Sequence, residues 1–112
     1  MKTMILIPAL APGAELIDYL QALSDAQLGQ LVVVDDGSGP DYAPIFALAA
    51  QIPGCTVLRH EQNRGKGDAL KTGLRYFQEL PDRSEYNGVV TADADGQHSV
   101  ADVTALRRAM RD

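Results

Sequence analysis

The stretch LVVVDDGS, residues 31–38, decides the fold class. Three consecutive valines after a leucine favour a β-strand, and an unbroken apolar run is typical of a strand buried on both faces of a sheet. Residues 35–38 are all common turn formers, so they end the strand. The acidic pair Asp35 and Asp36 is therefore predicted at the carboxyl end of a buried parallel strand, which is where open α/β sheets bind their ligands.

Apolar strands and amphipathic helices alternate on both sides of this stretch. The pattern predicts strands at residues 5–8, 31–34, 56–59 and 88–91, and helices at 15–25, 42–51, 68–80 and from Ser99 onward. Asp102 lies three residues after Ser99, which is the spacing of a capping box. Helical spacing places Leu70, Leu74 and Phe77 on the buried face of the third helix. The alternation predicts βαβ crossovers and an α/β, Rossmann-like three-layer sandwich with a mainly parallel sheet.

Composition limits the chain to one domain, residues 1–112, and excludes some partners. The chain has 46% hydrophobic residues, and its net charge is -5, so we expect a folded core and no general attraction to nucleic acid or anionic lipid. Cys55 is the only cysteine, so no internal disulfide forms, and a reducing, cytoplasmic location is expected. The apolar start is too short for a signal peptide, and no run reaches the roughly 18 residues needed to span a bilayer.

Asp93 and Asp95, directly after the last predicted strand, are the strongest chemical signal. Two carboxylates at a strand end offer oxygen ligands to Mg²⁺ or Mn²⁺, and such an ion would let an acidic protein bind a diphosphate. An isolated Asp-x-Asp is more often a solvated turn before a helix. Because polar motifs also follow the second and third strands, and all would meet at one edge of the sheet, the metal site is favoured here.

The other two motifs each have a functional and a plain structural interpretation. Asp35 or Asp36 would accept hydrogen bonds from a base or ribose, or the segment is only a tight turn. The loop at residues 63–67, Asn-Arg-Gly-Lys-Gly, opens a helix and would favour a phosphate, or it is a surface turn with two solvated cations. It is not a Walker loop, because Gly67 stands where Ser or Thr is required.

Three further residues have weaker claims to a chemical role. Lone histidines usually lie on a surface or at a helix edge, so His60 and His98 are weak ligand candidates, with His98 only a neighbour of the Asp95 site. Cys55 is predicted to be a small buried apolar residue and not a nucleophile. No Ser/His/Asp arrangement is present in the pattern.

Together, the motifs resemble those of the family 2 glycosyltransferases with the GT-A fold. The resemblance is closest to dolichyl-phosphate mannose synthases and bacterial polyprenyl-phosphate glycosyltransferases. It covers almost the whole chain and rests on four motifs in the same order: ILIPA at residues 5–9, VVVDDGS at 32–38, NRGKGDAL at 63–70 and DADGQH at 93–98.

The resemblance implies an inverting transfer from a UDP- or GDP-sugar donor with Mg²⁺ or Mn²⁺ as cofactor. Asp95 would be the main metal ligand, and Asp93 would contact the ribose, or the metal through water. Asp36, or less favourably Asp35, would face the base. The remaining donor contacts implied are Pro8, Ala9, Lys66 and Ala94. A lipid phosphate is the implied acceptor, with the full-length protein on the cytoplasmic face of a membrane.

Two departures from the family pattern limit what is carried over. The family's Asn-Glu pair after the first strand is replaced here by APGAE, residues 11–15. Relatives continue well beyond the equivalent of Asp112, and the general base and acceptor contacts are expected there. The chain is therefore predicted to be the donor-binding half of the enzyme, and an exposed sheet edge would favour a homodimer.

Two alternative functions remain open at this point. A non-catalytic nucleotide-binding or interaction module would keep the same fold. A receiver-type signalling domain has similar length, but its acidic pair follows the first strand. Its phosphoacceptor aspartate follows the third strand, where this chain has Arg59 and His60.

Overall fold

The computed structural model describes residues 2–95 and 99–110. Its strands are β1 (Lys2–Ala9), β2 (Gln30–Asp36), β3 (Cys55–His60) and β4 (Tyr86–Thr91), and its helices are α1 (Glu15–Asp25), α2 (Ala43–Gln51), α3 (Lys66–Gln78) and α4 (Val100–Ala109). Short 3₁₀ turns occupy Pro40–Tyr42 and Arg83–Glu85. Among the described residues, no helix is long and apolar enough to cross a membrane.

All the described strand pairs are parallel, in the order β3-β2-β1-β4. β1 and β2 lie in the middle of the sheet, and the valines of β2 are buried. Helices α1, α2 and α4 pack on one face of the sheet and α3 packs on the other. The predicted three-layer α/β sandwich is confirmed.

Helix α4 begins as its sequence predicts, whereas α3 begins earlier. The Ser99 hydroxyl accepts a hydrogen bond from the backbone N–H of Asp102, and the Asp102 carboxylate accepts one from Ser99 N–H at 3.2 Å. This is the predicted capping box. Helix α3 begins at Lys66, two residues before the predicted start, so Lys66 lies in its first turn.

The prediction for the buried face of α3 is wrong at Leu74, which is 42% exposed. The helix buries Ala69 and Gly73 instead. A carbon added at Gly73 would overlap the side chain of Leu6, a fully buried residue of β1. Small residues therefore let α3 lie close to the sheet, and this rotates Leu74 toward solvent.

Replacing Gly73 with alanine is expected to lower the free energy of unfolding by about 1–2 kcal/mol, because overpacking against Leu6 outweighs the better helix propensity of alanine. Urea denaturation measures the change. Gly67→Ala is the matched control on the same helix, because nothing lies within 4 Å of the added carbon. Equal stability of the two variants would contradict the close approach of α3 to β1.

Candidate functional site

The polar motifs meet at the carboxyl edge of the sheet, around a cavity of ≈ 490 Å³. Strands β2 and β3 lie on one side of β1, and β4 lies on the other side. The strand order therefore reverses between β1 and β4, and the cavity lies at the edge of the sheet that includes this point. Cavities of this size and position commonly bind small ligands. The residues that line it are Pro8, Ala9, Leu10, Asp36, Asn63, Gly65, Lys66, Asp93, Ala94 and Asp95.

Most residues singled out in the sequence border this cavity, but Asp35 does not. Successive side chains of a strand point to opposite faces, so Asp36 shares a face with Val34 toward α3 while Asp35 points the other way. Asp35 is 5% exposed, and its carboxylate accepts a hydrogen bond from Ser38 N–H at 3.0 Å. Asp35 therefore holds the turn after β2, and Asp36 is the member of the pair that reaches the cavity.

Asp36 is a buried anion surrounded by hydrogen-bond donors. Its Oδ1 accepts from His60 Nδ1 at 2.8 Å and from the backbone N–H of Arg64 at 2.9 Å. Its Oδ2 accepts from Gly65 N–H at 2.9 Å and from the Asn63 amide at 3.4 Å. A carboxylate has about four acceptor positions, so the chain itself occupies them. Asp36 thus fixes the loop before α3.

These donors also set the ionisation of Asp36. Burial by itself raises the pKa of a carboxyl, but the hydrogen bonds from His60, Arg64 and Gly65 outweigh it and hold the pKa of Asp36 below its ordinary value. Asp36 is only 3% exposed. The loop before α3 is therefore bound to a carboxylate that is ionised at neutral pH.

A close backbone approach brings the turn after β2 against the same loop. Gly37 has φ 71°, and a carbon added there would overlap the backbone of Gln62 and Asn63. Only glycine adopts this conformation readily and leaves room for the neighbouring chain. The Ser38 hydroxyl also accepts a hydrogen bond from Ala11 N–H at 2.9 Å, so the turn is tied to the segment after β1 as well.

Opposite charges meet beside the cavity. Lys66 Nζ lies 2.9 Å from Asp93 Oδ1, and the Lys66 side chain is 64% exposed. An ion pair this exposed contributes little to stability. The ion pair places the ammonium group of Lys66, at the start of α3, next to the acidic segment after β4.

Asp93 and Asp95 both border the cavity, and their chemistry fits a hard divalent ion. Mg²⁺ is commonly bound by one or two carboxylates together with substrate phosphates and water. Within residues 2–95 and 99–110, no three His, Cys, Asp or Glu side chains come together as a metal centre. Of the described residues, Asp93 and Asp95 are the two carboxylates at the cavity that could take part in holding such an ion.

The negative charge of this acidic segment affects the phenol of Tyr19 on α1. Burial raises the pKa of its phenol, and the negative charges of Asp102, Asp93 and Asp95 raise it further. These three carboxylates therefore act on the same phenol.

Some site residues were missed by the sequence reasoning, and others lie apart from the cavity. Leu10, Asn63 and Gly65 line it; Asn63 and Gly65 belong to the motif before α3, but Leu10 carries no chemical signal. His98 lies outside the described residues. Cys55 is half-buried, and burial raises its pKa to about 11, so its thiol is protonated and poorly nucleophilic at neutral pH.

Comparison with known proteins gives a family for this arrangement. The family model described as glycosyl transferase family 2 matches residues 5–112. The chain belongs to glycosyl transferase family 2. This membership agrees with the resemblance of the four motifs, and the parallel sheet is that of the nucleotide-binding half of a GT-A fold.

Two curated proteins are similar in sequence to this family 2 chain. An uncharacterized protein of Methanocaldococcus jannaschii is 34% identical over 99 residues, which cover 88% of this chain and 37% of that protein. The UDP-N-acetylglucosamine–dolichyl-phosphate N-acetylglucosaminyltransferase of Methanococcus voltae is 27% identical over 115 aligned positions, covering 91% of this chain and 44% of that protein. The chain thus spans about two fifths of the length of these relatives.

Proposed function

We propose that this chain is the donor-binding portion of a metal-dependent, inverting glycosyltransferase. The main support for donor binding is the cavity at the carboxyl edge of the sheet. The ends of β1 and β2, the loop before α3 and the acidic segment after β4 come together there. Family membership supports a nucleotide-sugar donor and an acceptor. The Methanococcus voltae relative is named for a UDP-sugar donor and a dolichyl-phosphate acceptor, which supports a UDP-sugar and a lipid phosphate here.

Six of the residues that line the cavity have a proposed role. Pro8 and Ala9 form the wall against the nucleoside, and Asp36 holds the neighbouring loop in place on the base side. Lys66 and the N-terminal N–H groups of α3 favour the diphosphate. Asp95, with Asp93, would hold Mg²⁺ or Mn²⁺. That ion supplies charge neutralisation of the departing nucleoside diphosphate.

In the proposed reaction, an acceptor oxygen attacks the anomeric carbon as its bond to the nucleoside diphosphate breaks, which inverts the configuration. A phosphate acceptor is already an anion and carries its own nucleophile, whereas a hydroxyl acceptor needs a general base within hydrogen-bond reach. The proposal places any such base and the acceptor contacts outside these 112 residues. It also places the full protein at the cytoplasmic face of a membrane.

Isothermal titration calorimetry with UDP, GDP and their sugars tests the proposal, with and without Mn²⁺. Binding that strengthens with Mn²⁺ is expected for at least one nucleotide. A chain that binds none of them under either condition would refute the donor-binding role. A chain that binds nucleotide, within a full-length protein that transfers no sugar, would establish the alternative of a non-catalytic module.

A separate readout addresses the metal without nucleotide. The chain has four tyrosines and no tryptophan, and Tyr19 lies close enough to Asp93 and Asp95 for their charge to raise its pKa. Terbium bound at these carboxylates should therefore luminesce when the tyrosines are excited. The signal is expected to fall in Tyr19→Phe and to persist in Tyr76→Phe. Equal signals from both variants would contradict a metal site beside Tyr19.

A further inference from the structure

A buried polar cluster behind the cavity joins three elements of the fold. His60, at the end of β3, is 6% exposed and contacts Asp36 through Nδ1. Its other ring nitrogen, Nε2, lies 2.7 Å from the hydroxyl of Thr72 on α3. Asp36 and His60 are direct register partners in β2 and β3. The imidazole therefore bridges the end of β2 to the middle of α3.

The direction of the hydrogen bonds follows from chemistry. An ionised carboxylate only accepts, so His60 Nδ1 must carry the proton that points at Asp36. The Thr72 hydroxyl both donates and accepts, so it satisfies Nε2 whether or not that nitrogen carries a proton. Both ring nitrogens are thus used within the protein. His60 is not the surface residue that its sequence context predicted, and neither ring nitrogen is left for an external ligand.

The cluster continues from Asp36 into the wall of the cavity. Asp36 accepts hydrogen bonds from Arg64 N–H and Gly65 N–H, and the Asn63 amide also reaches its backbone carbonyl at 3.3 Å. Lys66 follows this loop directly as the first residue of α3. The orientation of the Asp36 carboxylate therefore decides where the loop and Lys66 lie.

We infer that His60 is a positioning residue of the nucleotide site, which acts by fixing the Asp36 carboxylate that holds residues 63–65 against the cavity. This inference rests on the proposed donor-binding function for its effect on nucleotide. The His60 side chain itself touches no substrate. Its contribution is to keep one oxygen of Asp36 aligned with Arg64 N–H, while the contact with Thr72 prevents the ring from turning.

Two amide variants separate the two contacts of the ring. In His60→Asn the side-chain amide lies about where Nδ1 lies, so the donor to Asp36 is retained and the contact with Thr72 is lost. In His60→Gln the amide reaches toward Thr72 and leaves Asp36 without that donor. We expect UDP or GDP affinity in the presence of Mn²⁺ to fall about tenfold in His60→Gln and to change less than about threefold in His60→Asn.

Amide hydrogen exchange at Arg64 and Gly65 provides a second readout that needs no nucleotide. Exchange is expected to speed up about tenfold in His60→Gln and only about threefold in His60→Asn, which keeps the donor to Asp36 but loses the contact with Thr72. Thr72→Val, which removes only the hydroxyl, should give an intermediate rate and keeps the test available if His60→Gln does not fold.

The control is Thr3→Val, at the other end of the sheet. Thr3 is fully buried and its hydroxyl donates to Asn87 at 2.8 Å, so this variant also breaks a buried hydrogen bond but should leave nucleotide affinity and loop exchange unchanged. Wild-type exchange rates in both His60→Gln and Thr72→Val, or equal losses in His60→Asn and His60→Gln, would overturn the inference. If wild type binds neither nucleotide, the proposed function fails and the exchange rates still decide the role of His60.

Discussion

Replacing Asp95 with alanine is expected to remove the effect of Mn²⁺ on nucleotide binding. Asp95 borders the cavity and is the carboxylate that we propose as the main metal ligand. Without its oxygen, the ion loses a protein ligand and the negative diphosphate faces an acidic edge. A stimulation by Mn²⁺ of about tenfold or more in wild type, equivalent to at least about 1.4 kcal/mol, should fall to about onefold. Calorimetric titration with and without Mn²⁺ measures the ratio.

Asp25→Ala is the matched control, because it removes the same charge from an exposed position at the far end of α1. Its stimulation by Mn²⁺ should equal that of wild type, and both variants should unfold at nearly the wild-type temperature. Retained stimulation in Asp95→Ala would show that the divalent ion binds elsewhere.

Replacing Asp36 with asparagine is expected to destabilise the fold by about 3 kcal/mol at neutral pH, as expected when one partner of a buried hydrogen-bonded charge is removed. The change preserves shape but converts one acceptor oxygen into a donor. The new amide NH₂ group would face N–H groups that now donate to Asp36. His60 and Arg64 donate to one carboxylate oxygen, and Gly65 donates to the other. Urea denaturation measures the loss, and nucleotide affinity should fall with it because residues 63–65 are released.

The destabilisation should also depend on pH. The folded pKa of Asp36 lies below its ordinary value, so its contribution is present above the ordinary carboxyl pKa of about 3.9 and is lost as the pH falls through the folded pKa. The difference between wild type and Asp36→Asn should be full at pH 7 and shrink below about pH 4.

Asp35→Asn is the control for Asp36→Asn, because Asp35 is similarly buried and its carboxylate accepts a hydrogen bond from Ser38 N–H. Asp35→Asn is expected to lower the free energy of unfolding by about 1 kcal/mol. Equal losses in the two variants, or a loss in Asp36→Asn that stays constant between pH 7 and pH 3, would contradict the role of Asp36 as an ionised anchor.

The sequence predicted the layers of this fold well, because its strongest signals are local. The valines of β2 form a buried strand, and Ser99 with Asp102 starts α4 as the capping pattern predicts. The orientation of α3 was not predictable in the same way. Leucine spacing favoured Leu74 as a buried residue, but the depth at which Gly73 meets Leu6 depends on the shape of the sheet.

The cavity was predictable in part, because each motif ends a strand and parallel strands end at one edge. The residue pattern alone does not distinguish Asp35 from Asp36, since local sequence does not say which face of β2 is turned toward α3; the family resemblance favours Asp36. The pairing of Asp36 with His60 was also beyond the sequence, because it depends on the register of β2 with β3. Strand β3 was predicted to end at Arg59, one residue before His60.

The proposed function depends on the carboxylates after β4 binding a divalent ion that in turn binds a nucleoside diphosphate. Crystals of the chain grown with Mn²⁺ and UDP or GDP, measured at the manganese absorption edge, test it most directly. An anomalous peak is expected within coordination distance of Asp95, between that carboxylate and the diphosphate. Bound nucleotide with no peak beside Asp93 or Asp95 would contradict it.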